Sequence, residues 1–176
     1  MILAFSGLSG SGKSTIAKMV SEKLEIPMIV TCTTRPMRPG EIDGIDYHFL
    51  SDDEFSKENM VAEEHFNVAG GDVWKYGIKE KDISENDCIV VLTPKGIEDI
   101  RNSNHDIVDI MITVDDATRK DRILKRNDNQ SKEEIERRDL EDKIIFKSYA
   151  PNLIVSNNFS VDRTVNSIIN FINFQK

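Results

Sequence analysis

The fold of this chain is decided by the stretch Phe5-Ser6-Gly7-Leu8-Ser9-Gly10-Ser11-Gly12-Lys13-Ser14-Thr15. From Gly7 to Ser14 it has the pattern G-x-x-x-x-G-K-S, which is typical of phosphate-binding loops. The apolar run before it, residues 2–5, predicts a short buried strand. After it, apolar residues recur at helical spacing at Ile16, Met19, Val20 and Leu24. Because strand, glycine loop and helix follow in the order that the motif needs, we predict a nucleoside triphosphate site here.

The chemistry of this site follows from its backbone. Glycines let successive N–H groups turn inward and form an anion nest, and the helix N-terminus adds partial positive charge. In such a loop the lysine reaches the outer phosphates and the serine hydroxyl binds Mg²⁺, so Lys13 is a predicted catalytic residue and Ser14 the predicted metal ligand. A chance glycine-rich turn is the alternative, but four fixed positions rarely coincide in a short chain. The predicted ATP-binding residues are Gly7, Ser9, Gly10, Ser11, Gly12, Lys13, Ser14 and Thr15.

Composition narrows the class of protein. The 176 residues are enough for one domain with one core, and 39% of them are hydrophobic. A formal net charge of -8 argues against a broad nucleic-acid surface. Two cysteines, Cys32 and Cys88, are too few for a disulfide framework and fit a reducing compartment. The first apolar run is too short to cross a membrane. We therefore expect a cytoplasmic protein that has neither nucleic acid nor membrane as a partner.

The segment after the first helix carries a concentration of positive charge. Residues 26–31 predict a second strand, with a proline near its start. Residues 31–41 then hold Arg35 and Arg38 between prolines and glycines that stiffen the chain. An arginine pair alone is most often a solvated surface. Directly after a phosphate-loop unit, a second phosphate site is the better interpretation.

The rest of the chain alternates strands and helices. Residues 60–68 and 73–78 flank Gly70-Gly71 and predict a hairpin. Asp109 lies inside a predicted strand, and we expect it to turn to an edge or to solvent rather than to bind a metal. Alternation of this kind predicts a mostly parallel sheet with helices on both faces and phosphates at its carboxyl edge. The other predicted strands are residues 89–92, 107–114 and 153–155, and the remaining helices begin near Pro94, Asp115 or Asp116, Ser131 and Val161.

The order of motifs resembles the guanylate kinase family of nucleoside monophosphate kinases. The phosphate loop is followed by T-x-T-T-R-x-x-R-x-G-E from Thr31, D-G-x-D-Y-x-F from Asp43 and S-x-x-E-F from Ser51. The resemblance implies an α/β fold, a P-loop NTPase-type three-layer αβα sandwich with a small β-rich insertion that binds the acceptor nucleotide and a helical lid. The single domain 1–176 would have its core at 1–30, 84–120 and 150–176, the acceptor region at 31–83 and the lid at about 122–142.

The same resemblance implies roles for individual residues. The acceptor phosphate would be held by Arg35, Arg38, Tyr47 and Tyr76, and Thr31 would touch the guanine base. A carboxylate for the base would come from Glu63 or Glu64, although strict spacing from Phe66 points to Ala62; we favour Glu64. The lid arginines that serve the transferred phosphoryl group would be Arg122, Arg126 and Arg138, with Arg137 as the alternative to Arg138. Three positions depart from the family pattern, namely Ile78, Val91 and Thr93.

The resulting functional prediction is transfer of a phosphoryl group from ATP, with Mg²⁺, to GMP or dGMP. The departures at Ile78, Val91 and Thr93 leave open a kinase of a different nucleotide. A non-catalytic binding module of the same fold is the other alternative, and the intact phosphate loop argues against it. The expected partners are small nucleotides, and the chain is expected to be a monomer or a homodimer.

Overall fold

The computed structural model describes residues 1–68, 71–83, 86–125 and 132–175. No helix in these ranges is long and apolar enough to span a bilayer. Along the chain the elements are β1 Ile2–Ser6, α1 Lys13–Leu24, β2 Cys32–Thr33, β3 His48–Phe49, α2 Asp52–Phe55, β4 Met60–Asn67, β5 Val73–Lys79, a 3-10 turn Glu80–Asp82, β6 Cys88–Val91, α3 Pro94–Asn102, β7 Ile107–Thr113, α4 Asp116–Lys125, α5 Lys132–Phe146, β8 Leu153–Ser156 and α6 Val161–Gln175.

A parallel sheet of four strands forms the centre, in the order β6-β1-β7-β8. All five residues of β1 are buried, as expected of a strand covered on both faces. Successive side chains point to opposite faces. Leu3 and Phe5 therefore join one hydrophobic cluster while Ile2 and Ala4 join the other.

The two clusters define the outer layers. On one face, α1 and α6 bury Ile16, Val20 and Ile168 against the sheet. On the other face, α3 contributes Ile97, and the β4–β5 hairpin contributes Ile78. The predicted three-layer α/β architecture with a mostly parallel sheet is confirmed.

A second sheet, in the order β3-β2-β5-β4, is built from residues 32–79. Its β4 and β5 pair antiparallel, which confirms the predicted hairpin. The pairing register shifts between Val61 and Glu64, and Ala62 within this bulge has φ 53°. This sheet is the β-rich insertion, and its hairpin packs against α3 beside the parallel sheet.

The predicted strand at residues 26–31 is wrong. Only Met28 forms a bridge, to Ile89, and the backbone bonds of the segment run from Ile29 N to Ile89 O and from Ile89 N to Pro27 O. Pro27 has no N–H with which to extend the ladder. The chain then leaves the parallel sheet, and pairing resumes at Cys32 in the second sheet.

The sequence predicted that Asp109 turns to an edge or to solvent, and this prediction is wrong. Asp109 is fully buried in β7. Its carboxylate accepts hydrogen bonds from the Tyr149 hydroxyl, from Asn152 N at 2.9 Å and from Arg101 at 3.4 Å. Asn152 returns a bond by accepting from Asp109 N at 3.0 Å. Burial is thus tolerated because the carboxylate is satisfied on several sides. The network fastens the segment before β8 to the centre of the sheet.

This network gives a stability prediction. Asp109→Ala leaves the Tyr149 hydroxyl and the Asn152 N–H without their acceptor, so we expect the free energy of unfolding to fall by about 3 kcal/mol or more. Tyr149→Phe removes one donor and should cost about half as much. Urea unfolding measures both. The exposed Asp106, three residues earlier, provides the control Asp106→Ala, which should be near neutral. Equal effects for Asp109→Ala and Asp106→Ala would contradict the structural role of the network.

Candidate functional site

The phosphate loop joins β1 to α1 and leaves no room for side chains at its glycines. α1 begins at Lys13, and Gly12 before it has φ 91°, a conformation that favours glycine. A Cβ on Gly12 would lie 2.6 Å from Nδ2 of Asn157, and one on Gly7 would lie 2.3 Å from the carbonyl oxygen of Ile112. The loop backbone is therefore pressed against β7 and the end of β8. The N–H groups of the loop and the N-terminus of α1 are the kind of groups that bind an anion, and the anion site at this place stays a prediction.

Three side chains brace this loop from behind through its carbonyl groups. Arg119, which is 1% exposed, donates to Ser9 O at 3.3 Å. Arg122 donates to Ser11 O at 3.4 Å, and Asn157 donates to the same oxygen at 2.9 Å. Because these side chains bind carbonyl groups of the loop, its N–H groups face the space before the loop.

The contact of Arg119 with the phosphate loop was not predicted from the sequence. Its guanidinium also pairs with Asp116 at 3.1 Å and with Asp139 of α5. The only hint in the sequence is that Arg119 follows Asp115 and Asp116 by about one helical turn. This spacing is equally typical of a solvated helix surface. The burial of Arg119 depends on the packing of α4 beneath the loop.

The loop faces a cavity of about 230 Å³, which we call the central cleft. Its walls are the phosphate loop, the β4–β5 hairpin and α5. Most of the predicted nucleotide-binding residues line it, from both the donor and the acceptor sets: Gly7, Ser9, Gly10, Gly12, Lys13, Ser14, Thr15, Thr31, Arg38, Tyr47, Glu64 and Tyr76. The structure thus brings the two predicted nucleotide sites together. Ser11, Arg35 and Arg122 do not line the cleft that the described residues form.

The predicted lid contributes α5 to this cleft. Asp142 accepts a hydrogen bond from Ser9 N at 2.7 Å, so a carboxylate lies against the phosphate loop. Arg137 and Glu141 also line the cleft. Arg126 and the side chain of Arg138 lie outside the described residues. Arg122 is described, and it contacts the loop carbonyls rather than the cleft.

Arg35 is placed within the acceptor region by four contacts. Its guanidinium donates to Glu41 at 2.8 Å and to Pro36 O at 2.7 Å. It also lies 5.3 Å from the ring centroid of Tyr47 and 5.5 Å from that of Phe49, within cation–π range. Since it is 3% exposed and already bonds to Glu41 and Pro36 O, its direct role in phosphate binding stays a prediction. In the structure its guanidinium contacts the segment of residues 36–41 and the ring of Tyr47.

Arg38, Tyr47 and Tyr76, which are predicted to bind the acceptor phosphate, line the central cleft together. The backbone N–H of Arg38 donates to Glu41 at 2.7 Å, so one carboxylate ties both arginine positions together. The rings of Tyr47 and Tyr76 meet edge to face at 6.0 Å. Burial raises the pKa of the Tyr47 hydroxyl, which keeps it a neutral hydrogen-bond donor. One cation and two phenol groups suit a doubly charged phosphate.

The neighbouring strand β4 carries the carboxylate predicted for the base, since Glu64 pairs with Tyr76 of β5. Glu64 lines the cleft, whereas Glu63 is exposed and pairs with His65 at 2.6 Å. Burial raises the pKa of Glu64. Thr93 also lines the cleft and donates a hydrogen bond to Glu64. Ile78 packs into the hydrophobic cluster beside α3, so it supplies no polar group to the cleft.

A magnesium ion fits this site as part of a nucleotide complex. Ser14 is exposed at the loop and lines the cleft, where its hydroxyl is available as one ligand. Within the described ranges no three His, Cys, Asp or Glu residues cluster as metal ligands. Mg²⁺ commonly keeps waters and phosphate oxygens as most of its ligands. The donor set here suits an ion that arrives with the phosphates.

Comparison with known proteins gives one family. A guanylate kinase family model matches residues 1–175. The guanylate kinases of Chlorobaculum tepidum and Zymomonas mobilis are 53% and 52% identical over 66 and 64 residues, which cover 37% and 36% of this chain but span only 33% and 29% of those proteins. The guanylate kinase of Enterococcus faecalis is 28% identical over 98% of this chain and 96% of that protein.

Solved structures support the fold. The guanylate kinase of Anaplasma phagocytophilum matches with a TM-score of 0.69 at 24% identity, covering 99% of this chain and 85% of that one. The shikimate kinase of Aquifex aeolicus matches with a TM-score of 0.52 at 14% identity, covering 99% and 98% of the two chains.

The contact between Asp142 and the loop gives a binding prediction. A carboxylate that accepts from Ser9 N competes with a phosphate oxygen for the same donor, so Asp142→Ala should tighten ATP binding by roughly threefold to tenfold. Isothermal titration with MgATP measures the effect. Asp121→Ala removes the same charge from an exposed position on α4 and should leave the affinity within a factor of two. Weaker ATP binding by Asp142→Ala would show that this carboxylate supports the nucleotide instead of competing with it.

Proposed function

Because the chain belongs to the guanylate kinase family by a match over residues 1–175, we propose that it transfers the γ-phosphoryl group of ATP to GMP or dGMP. The products are ADP and the corresponding diphosphate. The observation that carries this proposal is the continuity of the central cleft, which runs from an intact phosphate loop to the Arg38–Tyr47–Tyr76 end and the Glu64 wall.

The donor half of the proposal is supported by the loop. Its backbone N–H groups, the N-terminus of α1 and Lys13 concentrate positive potential where the β- and γ-phosphates lie. Ser14 would provide one ligand to a Mg²⁺ ion that arrives with the nucleotide, and this ion would supply further neutralisation of the phosphate charge. The brace formed by Arg119, Arg122 and Asn157 fixes the loop in advance, so little reorganisation is needed at the moment of transfer.

The acceptor half is supported by charge and by position. Arg38, Tyr47 and Tyr76 hold the monophosphate, with Arg35 as the residue behind Tyr47. Two mutually repelling phosphates must be brought in line, and cationic groups at both ends of one cleft serve that task. The acceptor phosphate is already an anionic nucleophile, so no general base is needed.

The lid belongs to the same proposal. α5 reaches the loop through Asp142 and presents Arg137 to the cleft. As the family pattern implies, we assign Arg126 and Arg138 to the transferred phosphoryl group, together with Arg122, whose guanidinium bonds to the carbonyls of Gly10 and Ser11 in the loop. Closure of such a segment excludes water, which would otherwise hydrolyse ATP.

A cytoplasmic location is also proposed, and it is supported by the buried cysteines Cys32 and Cys88, which are not joined in a disulfide. The proposed partners are the nucleotides themselves. That the protein works as a monomer or homodimer, without nucleic acid or membrane, stays a prediction.

A kinase of another nucleoside monophosphate is the second candidate. It is favoured by the apolar Ile78, which faces a hydrophobic cluster, and by Val91 at the cleft wall. Fewer polar groups at the base end would relax the choice of base. Glu64 argues against adenine, because the ring acceptor of adenine would face its carboxylate.

A substrate panel decides between the two candidates. We expect ADP release with MgATP to be fastest, by kcat/KM, with GMP or dGMP and at least ~10²-fold slower with AMP, CMP or dTMP. Purified protein is assayed with each monophosphate at fixed MgATP, and ATP hydrolysis without acceptor is subtracted. The highest kcat/KM with CMP or dTMP would leave the kinase class standing and overturn the guanine assignment.

Lys13 provides the test of the donor site. Lys13→Ala removes a point charge at the transferred group, so kcat should fall by at least ~10² while the melting temperature stays close to that of the unchanged protein. Lys23→Ala, at the far end of the same helix, is the matched control and should keep full activity. A Lys13→Ala protein with near-normal kcat would exclude the loop as the donor site.

A further inference from the structure

The carboxylate of Glu64 is held by the first turn of α3. Thr93 is the N-cap residue of α3, and its hydroxyl accepts a hydrogen bond from Gly96 N at 3.2 Å. A hydroxyl has one proton to donate besides its lone pairs. Thr93 gives that proton to Oε1 of Glu64. One side chain therefore both caps α3 and orients the carboxylate that lines the central cleft.

Gly96 leaves the space that this arrangement needs. A Cβ at Gly96 would lie 3.3 Å from Oε1 of Glu64 and 3.6 Å from the Cβ of Ala62. The N-terminal turn of α3 thus approaches β4 closely on the side of the carboxylate. Helix N-termini favour a negative charge, so the position suits an ionised carboxylate.

The backbone of β4 is distorted at the same place. Ala62 has φ 53°, a left-handed conformation that is unfavourable for a residue with a Cβ. Such strain persists where the surroundings fix it, and bulges re-aim the side chains that follow them. After this bulge Glu64 pairs opposite Tyr76 and lines the cleft. Three features therefore determine the position of the Glu64 side chain, namely the bulge at Ala62, the space at Gly96 and the hydrogen bond from Thr93.

We propose that Thr93 is a positioning residue for base selection, which orients the Glu64 carboxylate so that this carboxylate accepts from both the ring N1–H and the exocyclic 2-amino group of guanine. The inference rests on the proposed function and concerns how this chain, with Thr93 at a position that departs from the family pattern, holds the carboxylate of that site. Hypoxanthine lacks the 2-amino group and would make only one of the two bonds. Adenine would offer its unprotonated N1 to the carboxylate.

The surroundings of Glu64 set the direction of its titration. Burial raises the pKa of this carboxyl, and the Thr93 hydrogen bond opposes the rise. The charged groups that act on it are Lys95, which favours the ionised form, and Asp99, which disfavours it; these two pair with each other at 2.6 Å. On β5 the residue opposite is Tyr76. Removing the Thr93 donor should therefore move the pKa of Glu64 further upward.

The test compares Thr93→Val with Thr93→Ser. Initial rates with GMP and with IMP are measured at saturating MgATP across pH, and melting temperatures are recorded. In Thr93→Val the kcat/KM for GMP should fall roughly tenfold to hundredfold and that for IMP much less, so the GMP:IMP ratio falls about tenfold. The acid limb of kcat/KM for GMP should move to higher pH, because the carboxylate is protonated sooner as the pH falls. Thr93→Ser keeps the hydroxyl, so the GMP:IMP ratio and the pH of the acid limb should both stay close to those of the unchanged protein.

The outcomes separate the inference from its premise. If Thr93 acted only as a helix cap, Thr93→Val would lower the melting temperature, reduce kcat/KM for GMP and IMP alike, and leave the acid limb at its original pH. That result overturns the inference. In the Glu64→Gln background, Thr93→Val should have no further effect on the ratio; an additional loss also overturns it. If valine is not accommodated, Thr93→Ala carries the same measurements. If the unchanged protein phosphorylates neither GMP nor IMP, both the proposed function and the inference fail together.

Discussion

The structure depends on the close packing of the glycine loop against three separate parts of the chain. Side-chain atoms at Gly7, Gly10 and Gly12 would collide with β7, with α4 and with Asn157 after β8, at distances of 2.3, 2.7 and 2.6 Å. Core strands, the helix beneath the loop and the end of the sheet must all be in place before the loop has its shape. Binding geometry and core packing are therefore one constraint, and the buried apolar residues of β1 set the position from which the loop departs.

Features encoded over a few adjacent residues could be predicted from the sequence. The strand–loop–helix unit follows from an apolar run, fixed glycines and helical spacing, and the hairpin follows from two extended runs around Gly70-Gly71. The family resemblance carried the rest of the candidate site, including the preference for Glu64. The structure places Glu64 at the cleft and Glu63 in solvent. Local pattern and motif order together were enough for the architecture.

Features that depend on distant contacts could not be predicted. Arg119 and Asp142 look like ordinary helix-surface charges, and only the docking of α4 and α5 onto the loop gives them a role. Asp109 looked too polar for a covered strand because its partners, Tyr149 and Asn152, lie about forty positions later. The wrong prediction of a strand at residues 26–31 also has its cause in distant contacts. The apolar pattern of these residues fits a sheet, but the route of the chain into the second sheet decides their pairing.

The position of Arg119 makes the loop and α5 thermodynamically linked. Its guanidinium bonds to the loop at Ser9 O and to Asp139 on α5, so the docked helix and the ordered loop stabilise each other through a single cation. Such coupling is reciprocal: whatever free energy α5 docking contributes to loop order, loop order returns to docking. Any change that loosens the contact of Arg119 with one of these two partners therefore also weakens the order of the other.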